Sequence, residues 1–260
     1  MAGTVLLRLE HVSKRFGAVQ ALTEVDFEVS AGEVVALVGD NGAGKSTLIK
    51  LISGIFRPDS GRIEFDGADR SIASPGDATA MGIATVYQDL ALCDNLDVVA
   101  NLFLGHERRR GTRLLDESDM EKDAAGLLHR LSVSIPSVRT PVASLSGGQR
   151  QSVAVAKATM GDPKLVILDE PTAALGVPQT RQVLALIGRL REHGLGVIVI
   201  SHNLVDVFAV ADRIVVLRLG RRVAAFEAAA SNADQVVAAM TGANLAEVGS
   251  VFTATTAGPA

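Results

Sequence analysis

The 260-residue sequence predicts an α/β protein whose core is interrupted by a helical insert and flanked by a small antiparallel β layer. Three observations carry that prediction. After Pro163, short apolar runs (165–168, 197–200, 214–219) alternate with helix-like stretches (178–192, 206–209), the pattern of parallel strands joined by crossover helices. Residues 4–30 instead alternate with a period of two, as antiparallel strands with one covered face do. From about Asp94 to Ala158 the apolar period becomes helical.

Composition agrees with a buried sheet. Hydrophobic residues make up 48 % of the chain, with one Tyr and no Trp, so the interior is aliphatic, as in sheets covered on both faces. A net charge of −4 speaks against a general nucleic-acid binder, and no nucleic-acid partner is expected. The lone Cys93 permits no intrachain disulfide and reads as a packing residue. No apolar run approaches the ~18 residues that cross a bilayer. Residues 1–16 do not read as a signal peptide, so a cytoplasmic protein is expected, reaching any membrane only by docking.

Taken in order, residues 5–10 and 21–29 read as strands joined at the turn-prone Phe16-Gly17. The apolar run 34–38 then leads into GDNGAGKST, residues 39–47, followed by a helix start over 46–52. The motif fits G-x-x-x-x-G-K-[ST], with Gly39, Gly44, Lys45 and Ser46 at its fixed places. Gly39, Asp40, Asn41, Gly42, Ala43 and Gly44 supply bare backbone that can wrap an anion with inward N–H groups, and Lys45, Ser46 and Thr47 open the helix beneath it. Lys45 reaches the β- and γ-phosphates of a nucleoside triphosphate in this arrangement, and the Ser46 hydroxyl ligates Mg²⁺.

Residues 62–67 form another short strand after the turn 58–61. In the helical region Leu96, Val99, Leu102 and Phe103 share one face, and Ala124, Leu127, Leu128 and Leu131 another. The charge run 107–111 between them reads as a solvated loop. Residues 249–260, rich in Ala, Thr and Gly, read as a frayed end. No internal repeat is visible.

Two more stretches carry chemistry. Val166-Ile167-Leu168-Asp169-Glu170 is an apolar strand ending in paired carboxylates; Asp169 is placed to hold Mg²⁺ and Glu170 to activate water. Leu145-Ser146-Gly147-Gly148-Gln149 opens a helix over about 149–160 and makes a second anion-binding N-terminus. Its plainer reading is a helix cap. Since residues 39–47 already cradle a triphosphate, Ser146, Gly147, Gly148 and Gln149 are expected to meet the nucleotide held by a second copy, in a head-to-tail dimer with two nucleotides at its interface.

The LSGGQ run resembles the signature of the ATP-binding-cassette (ABC) ATPases, and further family motifs stand in order. Gln88 in VYQD looks like the glutamine that reaches Mg²⁺ and the attacking water; His202 in ISH matches the switch histidine at the γ-phosphate; Phe16 holds the place of the aromatic that stacks on adenine. The resemblance spans residues 4–242. It implies a P-loop NTPase (RecA-like) core with its β layer over 4–90 and 159–242, a helical insert over about 91–158, and a flexible tail over 243–260. By the same likeness Glu170, His202, Gln88 and Lys45 are catalytic, and Ser46, Gln88 and Asp169 hold Mg²⁺.

GDNGAGKSTLIK, ATVYQDLALCDNLDVVANLFLG, EPTAALG and Met240-Thr241-Gly242 look like ATPases of ribose-, xylose- or fructose-type importers. This implies a subunit energising carbohydrate uptake, peripheral on the cytoplasmic side of the cell membrane. Its partners are then a second copy, an integral membrane permease and, indirectly, a periplasmic or extracellular solute-binding protein. Two departures stand out: Gly176 replaces the Asp that much of the family carries in its D-loop, and many relatives in this branch carry two cassettes where this chain has one. The alternative is a soluble ABC ATPase working on ribosomes or DNA. Only about 100 residues separate Lys45 from Ser146, with no heptad array between them, which disfavours it.

Overall fold

The computed structural model describes residues 4–111 and 114–243. β1 (Val5–Phe16) and β2 (Val19–Ser30) pair antiparallel, and their register sets Leu7 against Val29, Leu9 against Phe27 and Val12 against Val25, all buried. β3 (Val34–Val38) is buried at every position and leads through residues 39–44 into α1 (Lys45–Ile52). β4 (Ser60–Phe65) lies on the other side of β1 and carries the two-residue β5 (Ala68–Asp69) at its edge.

Here the expected turn is corrected. Ser60 and Gly61 belong to β4, and the chain reverses at Asp66-Gly67, both at left-handed φ (54° and 72°). Gly61 is required because β1 crosses so closely that a Cβ would lie 2.6 Å from the carbonyl oxygens of Glu10 and His11.

α2 (Pro75–Ala80), capped by Ser74, precedes β6 (Ile83–Val86). α3 (Val98–Phe103) follows, then β7 (Arg109–Arg110) and β8 (Leu114–Leu115), a short antiparallel ribbon, and α4 (Glu117–Arg130). The charge run is therefore no free loop. Arg108 pairs with Asp119 and Asp123 at 2.6 and 2.5 Å, and Arg110 with Asp116 at 3.1 Å, fixing the ribbon to the acidic start of α4. These pairs are largely exposed and add little to stability.

α5 (Gly147–Thr159), β9 (Leu165–Asp169), α6 (Val177–Glu192), β10 (Gly196–Ile200), α7 (Leu204–Val210) and β11 (Arg213–Arg218) complete the alternation. β12 (Arg221–Glu227) returns antiparallel along β11, and α8 (Ala233–Thr241) packs beside both. The expected flexible tail lies, from residue 244 on, outside the described residues.

The main sheet runs β12-β11-β3-β10-β9-β6, parallel throughout except at the β12 edge. Alternate residues of its strands serve different cores. Val35, Leu37, Ile167, Ile198 and Ile200 pack with α1 and the β1–β2–β4 sheet. Val166, Leu168, Val197 and Val199 pack with α3, α4, α5 and α6. The helical segment thus shares one apolar cluster with the underside of the sheet. Ala36, Val38, Ile214 and Val216 form the third cluster, with α7 and α8. No helix among the described residues is long and apolar enough to cross a membrane.

Candidate functional site

Parallel strands put their carboxyl ends on one rim, and this sheet is in close register there. Ile200 pairs with both Leu37 and Asp169, and Leu168 pairs with Val86. The loops that leave at this level therefore start side by side: residues 39–44 after β3, Gln88 after β6, Glu170 after β9 and His202 after β10. Such a rim is where open α/β sheets bind ligands.

The loop 39–44 takes its shape from two glycines above all. Gly39 sits at φ 148° with a would-be Cβ 2.2 Å from the Leu217 carbonyl oxygen; Gly44 sits at φ 104°, with Leu22 Cδ2 at 2.8 Å and the Ala21 carbonyl at 2.9 Å. Any larger residue would push the loop off β2 and β11. Gly220 N–H donates to the Ala43 carbonyl at 3.0 Å and buttresses the loop from behind. Asp40, Asn41 and Gly42 stand exposed at the tip, and Ser46 is exposed in the first turn of α1 while Thr47 is half-buried.

Lys45 Nζ donates to the carbonyls of Gly39 (2.5 Å) and Asp40 (3.0 Å), so its ammonium lies across the mouth of the loop. Burial lowers its pKa, opposed by the nearby charges of Glu170, Asp40 and Asp169. The Asp169 carboxyl is held above its usual range, first by burial and then by Glu170 next to it, against the pull of Lys45 and Lys50. A carboxylate pressed in this way gains most from a cation brought alongside.

Glu170 adopts a left-handed φ of 50°, fixed by its N–H donating to the Ile200 carbonyl at 2.9 Å. That turn aims its side chain along the rim at His202, whose Nδ1 lies 2.9 Å from Glu170 Oε1. The sequence gives no hint of this contact. The histidine is otherwise exposed, while the glutamate is only 18 % exposed. Behind them, Thr172 Oγ1 donates to Asp206 Oδ2 at 2.7 Å. Gln88 is exposed, and Phe16 is exposed at the end of β1, edge-on to Phe56 with ring centres 5.0 Å apart. Lys45, Asp169, Glu170 and His202 are thus brought together, with Gln88 on a loop of the same rim, while Phe16 ends a strand of the other sheet.

Serine and glycines at the start of α5 behave differently. Ser146 Oγ accepts from Gln149 N–H at 3.3 Å, and Gln149 Oε1 accepts from Ser146 N–H at 3.0 Å, a complete capping box. Gly148 is buried, and a Cβ there would lie 2.8 Å from Gln179 Cβ; one on Gly147 would lie 3.0 Å from Leu175 Cδ2. These glycines let α5 seat against the 170–176 loop and the start of α6, a packing reason that residue spacing does not reveal. No bond among the described residues joins Ser146, Gly147 or Gly148 to residues 39–47.

The donors available to a divalent cation are oxygens: the Ser46 hydroxyl, the Asp169 carboxylate and the Gln88 amide. No group of three or more His, Cys, Asp or Glu side chains that could hold a metal occurs among the described residues. Few protein ligands and hard donors suit Mg²⁺, which keeps waters and takes phosphate oxygens.

Between Gln88 and the helical segment lies an open cavity of about 600 Å³, lined by Tyr87, Leu90, Leu102, Phe103, Arg108 and Lys157 among others. Its lining is mainly apolar and includes the charged Asp89, Arg108 and Lys157.

The chain is similar to known proteins in both sequence and fold. The family model described as ABC transporter matches residues 22–173. The xylose/arabinose import ATP-binding protein of Sulfolobus acidocaldarius is 45 % identical over 243 residues, covering 94 % of this chain and 96 % of that one. The fructose import ATP-binding protein of Rhizobium meliloti is 46 % identical over 250 residues, with the same two coverages. A ribose import ATP-binding protein of Burkholderia cenocepacia is 44 % identical over 237 residues, but the chain spans only 47 % of its length. Among solved structures, an ATP-binding cassette of an ABC transporter in its ADP conformation superposes with a TM-score of 0.80 at 27 % identity, covering 94 % of this chain and 98 % of that one. A dimeric cassette bound to ADP and Pi, in a post-hydrolysis state, gives 0.72 at 25 % identity, covering 86 % and 99 %.

Proposed function

The chain belongs to the ABC transporter family, and from that membership we propose that it is the ATP-hydrolysing subunit of an importer that takes up a monosaccharide. One observation carries the catalytic reading: the Lys45 loop, Asp169, Glu170 and His202 meet on a single sheet rim, with Glu170 and His202 in direct contact. The names of the xylose/arabinose, fructose and ribose import proteins support the class of solute.

Backbone amides of residues 39–44 and Lys45 grip the β- and γ-phosphates of ATP, and Phe16 offers its exposed ring to the base. Ser46 and Asp169, with Gln88, hold the Mg²⁺ that neutralises charge on the phosphates. Glu170 accepts a proton from water as the oxygen attacks the γ-phosphorus; the bond to the bridging oxygen breaks, and ADP and Pi leave. His202 steadies the Glu170 carboxylate and faces the γ-phosphate. Ser146, Gly147 and Gly148 of a second copy, with Gln149 closing their cap, bring a helix N-terminus to the same phosphate, so each nucleotide is enclosed by two chains.

Closure of the pair moves α3 and the apolar cavity beside Gln88. A permease helix seated there would be pushed, turning nucleotide binding into exposure of the solute path to alternate sides. The protein then sits on the cytoplasmic face of a membrane through that permease, and a separate binding protein delivers the sugar. Disruption of the gene followed by uptake of single radiolabelled monosaccharides tests this reading. Loss of uptake for one sugar or a few related ones is expected, together with co-purification of a membrane protein. Unchanged uptake across the panel, with the protein recovered on ribosomes or DNA instead, would contradict it.

A further inference from the structure

Thr172 and Asp206 form a pair for which the chemistry above has no role. Thr172 lies two residues beyond Glu170, in the loop between β9 and α6; Asp206 lies four beyond His202, in the first turn of α7. Their 2.7 Å bond is buried, each residue being 8 % exposed. Apart from the Glu170–His202 contact, it is the one side-chain bond between these two loops among the described residues.

The loop has no other polar side chain with which to anchor itself. Between Glu170 and Gln179 it reads Pro171, Thr172, Ala173, Ala174, Leu175, Gly176, Val177, Pro178, and only Thr172 can form a side-chain hydrogen bond. It nevertheless holds two non-glycine residues at left-handed φ, Glu170 at 50° and Ala174 at 59°. Conformations of that kind persist only where the surroundings over-determine them. The Glu170 N–H bond to Ile200 fixes one side of the loop, and Leu175 against Gly147 fixes the other. Thr172 supplies the link between these, at the level of α7. A buried carboxylate keeps its donor, because leaving it unpaired is costly.

We infer that Thr172 and Asp206 are positioning residues for hydrolysis: their bond locks the Glu170 loop to the start of α7 and so holds Glu170 and His202 in hydrogen-bonding register. The inference rests on the reading of Glu170 and His202 proposed above. Neither Thr172 nor Asp206 bonds to the Lys45 loop, so the effect falls on turnover and leaves nucleotide affinity alone. Displacements of about 1 Å in such constellations cost on the order of 10²-fold in rate. Loss of the bond is expected to lower kcat at least ~10-fold at unchanged KM for ATP.

The experiment compares ATP hydrolysis by the full chain with that of Thr172→Val, Thr172→Ser, Thr172→Val/Asp206→Leu and Glu170→Gln, with thermal unfolding of each. Valine keeps the shape of threonine and removes the donor. Serine keeps the donor. The double variant removes both polar partners together, leaves no unpaired carboxylate, and provides a folded test should Thr172→Val alone fail to fold. The expected result is low kcat and normal KM in Thr172→Val and the double variant, with Thr172→Ser within about twofold of the parent. A folded double variant turning over at the parent rate, with Glu170→Gln impaired, overturns this inference alone. Equal losses in Thr172→Ser and Thr172→Val, or a raised KM in place of a lowered kcat, also overturn it. Parent-like turnover in Glu170→Gln overturns the catalytic reading beneath it.

Discussion

The chain carries two glycine-rich helix starts, at α1 and at α5, and they are built on opposite plans. At α1 the glycines free the backbone itself: Gly39 and Gly44 hold φ values of 148° and 104° where strands β2 and β11 leave no room for a Cβ. Three further strand ends then bring Asp169, Glu170, His202 and Gln88 to the same rim. At α5 the glycines have ordinary backbone and are small for packing: Gly147 and Gly148 fit against Leu175 and Gln179. Ser146 and Gln149 satisfy each other, and among the described residues none of Lys45, Asp169, Glu170 or His202 bonds to them. The first start gathers polar side chains of its own chain around it; the second, in the reading proposed above, serves the nucleotide of another copy, and the difference shows why a single motif cannot be read as a site without its neighbours.

Substitutions that strike only one of the two starts should separate them. Ser146→Arg is expected to bring hydrolysis to background while a single chain binds ATP as before, checked by equilibrium binding at concentrations below dimerisation. Weakened binding by the single chain would erase the contrast. Glu170→Gln is expected to slow hydrolysis at least ~10²-fold, the usual worth of a general base, and to leave an ATP-bound dimer that persists in sizing chromatography.

A smaller effect is expected at Gly148→Ala, where the added methyl meets Gln179 at 2.8 Å and overpacks the α5–α6 contact. About 1–3 kcal/mol of stability should be lost in urea denaturation, with the ATP affinity of the single chain unchanged. The smallest is at Asp169→Asn. Asp169 has a raised folded-state pKa, so its protonated form favours folding below the unfolded value and that advantage is gone once pH rises through the folded one. At neutral pH the carboxylate is therefore a burden on the empty fold. The amide should raise Tm there, with the gap closing as pH falls into the carboxylate range.

How far the residues announced this arrangement depended on how locally each feature is determined. β3, β9 and β10 are buried at nearly every position and stand in the sequence as apolar runs, and the loop at 39–47 carries its own pattern. β6 was missed because only Ile83 and Val86 are buried, which gives neither a run nor an alternation. β12 was missed because it is an exposed edge, and α8 because its short apolar face covers β11 and β12 only after they pair. The arginine run read as a loop because its partners, Asp116, Asp119 and Asp123, lie on a helix whose approach is a tertiary matter. In the site, residue types and strand ends were legible. The Glu170–His202 contact and the Thr172–Asp206 bond were not, since each depends on the register of β9 against β10 and on a left-handed turn at Glu170.

The central claim, that each nucleotide is enclosed by α1 of one chain and α5 of another, is tested most directly by mixing two dead variants. Lys45→Ala breaks the first start and Ser146→Arg the second. A mixed pair holds one intact composite site, made of the Ser146→Arg chain's Lys45 and the Lys45→Ala chain's Ser146. Random pairing in equal amounts should therefore restore hydrolysis to about a quarter of the parent rate, half of the pairs being mixed and half of their sites whole. Hydrolysis that stays at background after mixed pairs have been shown to form would contradict the shared site.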